Sequence, residues 1–463
     1  MGPSAQPGLK VLNVMPAVIR NPKTKLRGCH LAGLFVILAA AMLLCWMNRP
    51  WFRTWVDQAT LPAARATYNL NDYAAFVNAA RMILAGHGQD LYNINAQRAT
   101  ELRDWGARFD PQLAVPFVNP PWFAVALLPL APLPIGAGFL IWLAVCCGLI
   151  LSAAALLARW ARPPPLVGVA FVLSVAGFVP FWRTAILGQT SALVLFGMAW
   201  GIVSIAEGRA RRGGLALALA GVKPQLLILP VLALLMERRR RALFWCVSAS
   251  LVLVAVTLPI IGLGAAPDYM NLMRSAAYAG YENLPQMQSW RALIEGTLGL
   301  RGNPAAVLNL AGMLAGLGLV GWAWWEPART RWAGGPRTWA RLIERNPVQS
   351  DPNWDLRMAL TILATQLFTP HMHVHDLLIW IVPGGLLLHH LYAPGAAWRM
   401  GRRRRTIGFV SLWAGYLVVW PAWLLPDARL ALWFSLLVCG WLVAELRAAR
   451  QERAPAWART ATT

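Results

Sequence analysis

Residues 214–241 read GLALALAGVKPQLLILPVLALLMERRRR. The apolar part, Gly214–Met236, is long enough to cross a bilayer once. A single crossing would put Arg238, Arg239, Arg240 and Arg241 on the opposite side from Arg209, Arg211 and Arg212. That conflicts with the tendency of Lys and Arg to stay on the cytoplasmic side. The centre of the stretch is Gly221-Val222-Lys223-Pro224-Gln225. Proline removes a helical donor and clashes with the preceding turn. An ammonium group at mid-membrane is expensive. Two half-helices meeting at Lys223-Pro224, entering and leaving on the cytoplasmic side, resolve the conflict. Irregular backbone at that depth must be buried in protein or line a wet cavity.

The same pattern recurs toward the C-terminus. Leu356–Leu391 is too long for one span and is broken by Thr369-Pro370-His371-Met372-His373-Val374-His375-Asp376, with Arg402–Arg405 following. A second pair of shorter helices with a polar apex fits these charges. Ordinary spans are expected at about 30–47, 133–158, 166–181, 191–206, 244–263, 304–325, 406–424 and 430–446. A short apolar piece at Trp122–Leu130 suits the interface, and a tight outer turn is expected at Trp182, Arg183, Gly188 and Gln189. The expected fold is an all-α polytopic membrane protein of about ten to twelve hydrophobic helices, two of its segments broken. Residues 1–28 form a basic cytoplasmic N-terminus, with Lys10, Arg20, Lys23, Lys25 and Arg27. Residues 29–446 form the transmembrane domain, with outer loops near 48–120 and 264–303. Residues 447–463 form a basic cytoplasmic tail, with Arg450, Arg453 and Arg459.

Composition agrees. Of 463 residues, 58% are hydrophobic and only 13% charged, about half the usual charged share. Such a chain cannot coat a soluble surface. The net charge of +23 sits in short runs between apolar segments. Membrane lipid is therefore the expected partner of that charge, and nucleic acid is not. The six cysteines lie in or beside apolar stretches, without metal-site or disulfide spacing. No P-loop, Rossmann fingerprint or Gly-x-Ser-x-Gly elbow is present. No cofactor and no metal is expected.

The polar groups gather on the outer side. Asp72 precedes Phe76, Ala80 and Leu84, apolar at helical spacing, so it either caps a helix or serves as a general base. Lys223 is too deep to snorkel easily and suits neutralisation of a phosphate. Gln189 either supplies a hydrogen bond to a substrate or satisfies broken backbone. His371, His373 and His375 alternate, so they do not share a helix face; a phosphate-binding or proton-relaying apex suits them better than zinc. Gln288 and Arg291 belong to a polar outer loop, Pro285–Arg291. The 25 tryptophans sit mostly at span boundaries, as an aromatic belt would, while Trp122, Trp182 and Trp290 on the outer face also suit sugar stacking.

The order of these motifs resembles glycosyltransferase family 87. Asn71-Asp72-Tyr73-Ala74-Ala75-Phe76, Ala79-Ala80-Arg81, Leu84-Ala85-Gly86 and Asp90-Leu91-Tyr92 are similar to its first-loop signature. Asn119-Pro120-Pro121, Gly188-Gln189, Gly221 to Lys223-Pro224, Gln288-Ser289 and Thr369-Pro370-His371 follow in order. The chain departs from the pattern at Asn119, where Tyr is usual, and at Met287, where Asn is usual. The resemblance implies a GT-C-type fold in a bacterial-type plasma membrane, with its site facing outside. It implies transfer of a hexose, typically mannose, from a polyprenyl-phosphate sugar to a hydroxyl of a lipid or glycan acceptor, with inversion. Asp72 matches the family's base, and His371, with His373 and His375 as alternatives, matches the histidine at the donor phosphate. A transporter or lipid flippase is the competing reading, since broken helices also occur there.

Overall fold

The computed structural model describes residues 72–105, 115–275, 284–333, 351–392 and 402–453, and isolated positions between 39 and 53. The basic segment 1–28, most of the expected span at 30–47, Asn71, Arg337, Arg341, Arg345 and Arg459 lie outside the described residues. Among those described there are helices and no strand, with one isolated antiparallel bridge, Met287 to His373.

Among the described residues, six helices are long and apolar enough to cross a membrane: Ile135–Ala161, Arg240–Ile261, Gly302–Trp325, Val374–Tyr392, Thr406–Leu424 and Pro426–Gln451. The 27 residues of Ile135–Ala161 reach about 40 Å at 1.5 Å per residue. Arg162, in the left-handed region, ends that helix. The helices Ile135–Ala161 and Arg240–Ile261 turn Leu140, Ile141, Val145, Phe244, Val247 and Leu251 outward. Apolar faces of that extent are at ease against lipid and not in water. The chain is an integral membrane protein with all-α architecture.

Both expected breaks are present. Ala210–Ala220 is followed by a turn, a 3-10 helix at Pro224–Leu226 and the helix Ile228–Met236. Trp354–Phe368 is followed by an irregular apex, a 3-10 helix at Val374–Trp380 and the helix Ile381–Tyr392.

A third break was not expected. The segment read as a span at 166–181 is a helix to Ser174, a 3-10 turn at Val175–Gly177 and a second helix, Val179–Leu187, bent by 51°. Pro180 has no N–H for the carbonyl of Ala176 four residues back, so the helix cannot run through. The indole of Trp182 takes that carbonyl instead, at 2.8 Å. Trp182 and Arg183 thus lie within a helix rather than in the outer turn, which is Gly188-Gln189-Thr190. Trp182 is buried, which removes it as a sugar platform. Trp290 is likewise occupied: its indole donates to the Leu308 carbonyl at 2.8 Å and fills the space above Gly312.

Small residues let helices approach closely, as membrane packing requires. Gly197 and Gly201 of the Ser191–Ala206 helix face Ala216, Ala220 and Gly213 of the first broken pair. On the other side of that pair, a Cβ on Gly214 would meet the Ala242 carbonyl oxygen at 2.3 Å. The first half-helix is therefore clamped between two neighbours. The second broken pair runs up the middle of the bundle, and Trp354–Phe368 is buried throughout.

Candidate functional site

The two broken pairs meet. Lys223, at the first break, donates to Asp376 Oδ1 at 2.6 Å, to Gln189 Oε1 at 3.0 Å and to Ser191 Oγ at 3.2 Å. Ser191 also donates to Asp376 Oδ1, at 2.9 Å. The other oxygen of Asp376 accepts the backbone N–H of His373 at 3.1 Å, forming a cap at the start of the Val374–Trp380 turn. His375 Nε2 is 3.6 Å from the same oxygen. A buried carboxylate is tolerable only with this density of partners. Asp376 is 1% exposed and Lys223 11%, so the ion pair is nearly withdrawn from solvent.

The three histidines form a stack rather than a convergent set. His371 meets His373 edge to face, with centroids 4.7 Å apart, and His373 lies over His375 at 5.2 Å. The bridge from Met287 to His373 and the bond from Gln288 N to the Met372 carbonyl, 2.7 Å, tie the outer loop to this apex.

Asp72 is the first residue of the Asp72–Leu84 helix and is buried. Its neighbour Tyr73 packs on Gly188, where an added Cβ would lie 2.7 Å from Tyr73 Cβ. Gly188 holds φ +66°, which glycine adopts without strain. The turn after it delivers Gln189 to Lys223. The N-terminus of the Asp72 helix thus packs on the same turn that feeds the Lys223 cluster. Arg81 anchors the helix from its other end, through the carbonyls of Ala131 and Leu133, both at 3.0 Å. The Asn119-Pro120-Pro121 motif reaches the cluster as well: Asn119 Nδ2 is 3.5 Å from the Val222 carbonyl, next to Lys223.

Arg183 completes the arrangement. It interacts electrostatically with Asp72, and its guanidinium donates to Gln286 Oε1 at 3.4 Å. The adjacent Thr184 donates to the His375 carbonyl at 3.4 Å. Near the second break lies a small apolar recess, whose lining includes Phe178, Trp380, Leu387, Tyr416, Phe434 and Val438.

Residues 117–343 match the family model of glycosyltransferase family 87. Over these residues, about half of its length, the chain resembles the membrane glycosyltransferases of family 87. The match spans Asn119-Pro120-Pro121, Arg183, Gln189, Lys223 and Gln288. Asp72 and the His371–Asp376 apex lie outside it and join the matched residues only in space. No curated protein and no solved structure matches the chain.

Of the residues singled out from sequence, Gln189 and Lys223 share hydrogen bonds, His375 flanks their partner Asp376, and Asp72 lies one packed turn away. Gln288 holds the loop to the apex: its carbonyl accepts Gln366 Nε2 at 2.8 Å, and its own amide donates to the Pro426 carbonyl at 3.3 Å. Arg291 pairs with Glu295 at 3.0 Å, one helical turn on, and none of the bonds described for it reaches the Lys223 cluster. Ser191 and Arg183 were not singled out. A buried lysine demands a carboxylate nearby, and Asp376 was the one acid within the polar apex; that demand was the available signal. Ser191 and Arg183 carried no such signal.

Proposed function

We propose that this protein is a glycosyltransferase that transfers a hexose, mannose by preference, from a polyprenyl-phosphate sugar to an acceptor hydroxyl at the extracytoplasmic face of a bacterial-type plasma membrane. The reading rests on one observation above all: a buried carboxylate, Asp72, packed beside the joined apices of two broken helix pairs, with cations and imidazoles gathered there. The apolar recess at Phe178 and Trp380 supports a lipid-linked donor, since its isoprenoid chain needs an apolar seat next to a polar reaction centre.

In the proposed reaction the Asp72 carboxylate takes the proton of the acceptor hydroxyl. The acceptor oxygen forms a bond to the anomeric carbon from the side opposite the phosphate. The bond from that carbon to the phosphate oxygen breaks, and its electron pair leaves with the polyprenyl phosphate. Inversion follows from a single displacement. His371 and His373, at the apex, face the donor phosphate region, and the outer loop through Gln288 holds them there.

The test is release of polyprenyl phosphate, followed by mass spectrometry, from the purified protein in lipid with a panel of polyprenyl-phosphate sugars and a lipid extract as acceptor. Release with one sugar is expected. Asp72→Asn should lower it by about 10²- to 10⁴-fold while thermal unfolding stays unchanged. Normal turnover in that variant removes Asp72 as the base, and silence with every donor removes the lipid-phosphate reading.

A further inference from the structure

Two cations stand at the site, and their surroundings differ. An ammonium group has three protons to donate. Lys223 has three acceptors within hydrogen-bond distance, on Gln189, Ser191 and Asp376, and its charge is balanced by a carboxylate at 2.6 Å. It has no proton left for an incoming anion. A guanidinium has five. Among the described residues, the Arg183 side chain makes one hydrogen bond, the 3.4 Å contact to the neutral amide of Gln286.

The place of Arg183 is defined from three directions. Thr184, next in the chain, touches the His375 carbonyl. Gln286 precedes Met287, which bridges to His373. Asp72 is the carboxylate whose charge acts on the guanidinium. Arg183 therefore lies between the residue assigned as base and the histidine apex.

We propose that Arg183, and not Lys223, binds the phosphate of the donor and holds the leaving phosphate during transfer, while Lys223 is a positioning residue that acts through Asp376. This rests on the lipid-phosphate reading above. The charge balance fits it. A polyprenyl-phosphate sugar is a phosphodiester with one negative charge. Transfer places the acceptor proton on Asp72 and one further negative charge on the phosphate. The reaction thus moves one unit of negative charge from Asp72 to the leaving group, and a cation facing both attracts that charge before and after the step. A planar guanidinium also matches two phosphate oxygens at once.

The experiment compares equilibrium binding of a polyprenyl phosphate and of the polyprenol of the same chain length to the full chain in lipid nanodiscs. The readout is the preference for the phosphate. Wild type should prefer the phosphate, and Arg183→Gln should lose about 10- to 100-fold of that preference, the range for hydrogen bonds to a charged group. The double variant K223Q/D376N, which removes both charges of the pair together, should keep it within about threefold, less than one such bond is worth. Arg183→Lys keeps the charge without the fork and should lose a smaller factor. It carries the test if the glutamine variant does not fold. A preference unchanged in Arg183→Gln, or in Arg183→Lys where only that variant folds, overturns the proposal, as does its loss in K223Q/D376N alone. A wild type without any preference overturns the donor reading instead.

Discussion

The two broken helix pairs use one device at two depths. Each is an apolar segment interrupted at a proline, and each break presents a polar apex to the other. The first, Ala210–Met236, lies at the edge of the bundle, and Leu215, Ile228 and Leu235 are exposed on it. The second, Trp354–Tyr392, is buried almost throughout. Their polar content explains the difference. The second carries Arg357, Thr361, Thr365, Gln366, His373, His375 and Asp376, all buried. Lipid offers such groups no partner. Protein does: Trp324 donates to Thr361 at 2.9 Å, Gln366 donates to the Gln288 carbonyl, and Ser435 bonds Gln366. The first pair carries a single deep charge, Lys223, so it needs protein only at its tip. Polar groups within an apolar run therefore set how central the run must be.

The largest effect should come from uncoupling the two apices. Asp376→Leu leaves the Lys223 ammonium without its carboxylate and should cost about 3–5 kcal/mol, and Lys223→Leu about the same. The double variant should recover most of that loss. A thermal or chemical unfolding cycle in detergent measures the coupling; additive losses would mean that the two pairs are held by their flanking helices alone. A smaller effect is expected from crowding the outer pair. Gly214→Ala places a methyl group against the backbone of Ala242 and Cys246, which cannot rotate away, and should cost about 1–3 kcal/mol. The Lys223–Asp376 pair should survive it, read as an unchanged coupling when the same double-variant cycle is repeated on the Gly214→Ala background.

An effect of another kind, read only against pH, lies outside both pairs, in the helix Ile94–Trp105. Burial pushes the Glu101 carboxyl up to about 8, against the pull of Arg98. Between the ordinary carboxylate range and about 8 the folded chain holds a proton that the unfolded chain has lost. Stability should therefore fall as pH rises through that window and level off above it. Unfolding followed across pH should show this slope in wild type and lose it in Glu101→Gln. A falling slope that persists in the variant would show that Glu101 is not its source.

Both breaks were legible in the sequence because three local constraints coincided: a proline, a deep polar group and arginines on the wrong side for a single crossing. The first-loop aspartate was singled out by resemblance, and its helix packs on the Gly188 turn. The bend at Phe178 was not, because Pro180 sits near the end of an expected span, where a helix is free to stop anyway. The pairing of Lys223 with Asp376 joins positions 153 residues apart, and no local pattern encodes which acid a buried lysine will meet. Arg183 looked like a residue of an exposed turn. Its place at the site follows from the helix restarting after Phe178, so the missed bend and the missed residue are one error. Gln288 and Arg291 looked alike in sequence, polar residues of one loop. The structure separates them, because Arg291 has an acid one turn away and Gln288 has the apex.

The union of Lys223 and Asp376 bears on how the protein meets an energised membrane. Carrying one elementary charge through 100 mV is worth about 2.3 kcal/mol. The two opposite charges are 2.6 Å apart, under a tenth of the roughly 30 Å hydrocarbon thickness, and they sum to zero. The electric field does almost no work on them as long as they move together. While it stays joined, the pair gives the membrane potential no handle on the two helix pairs that it links.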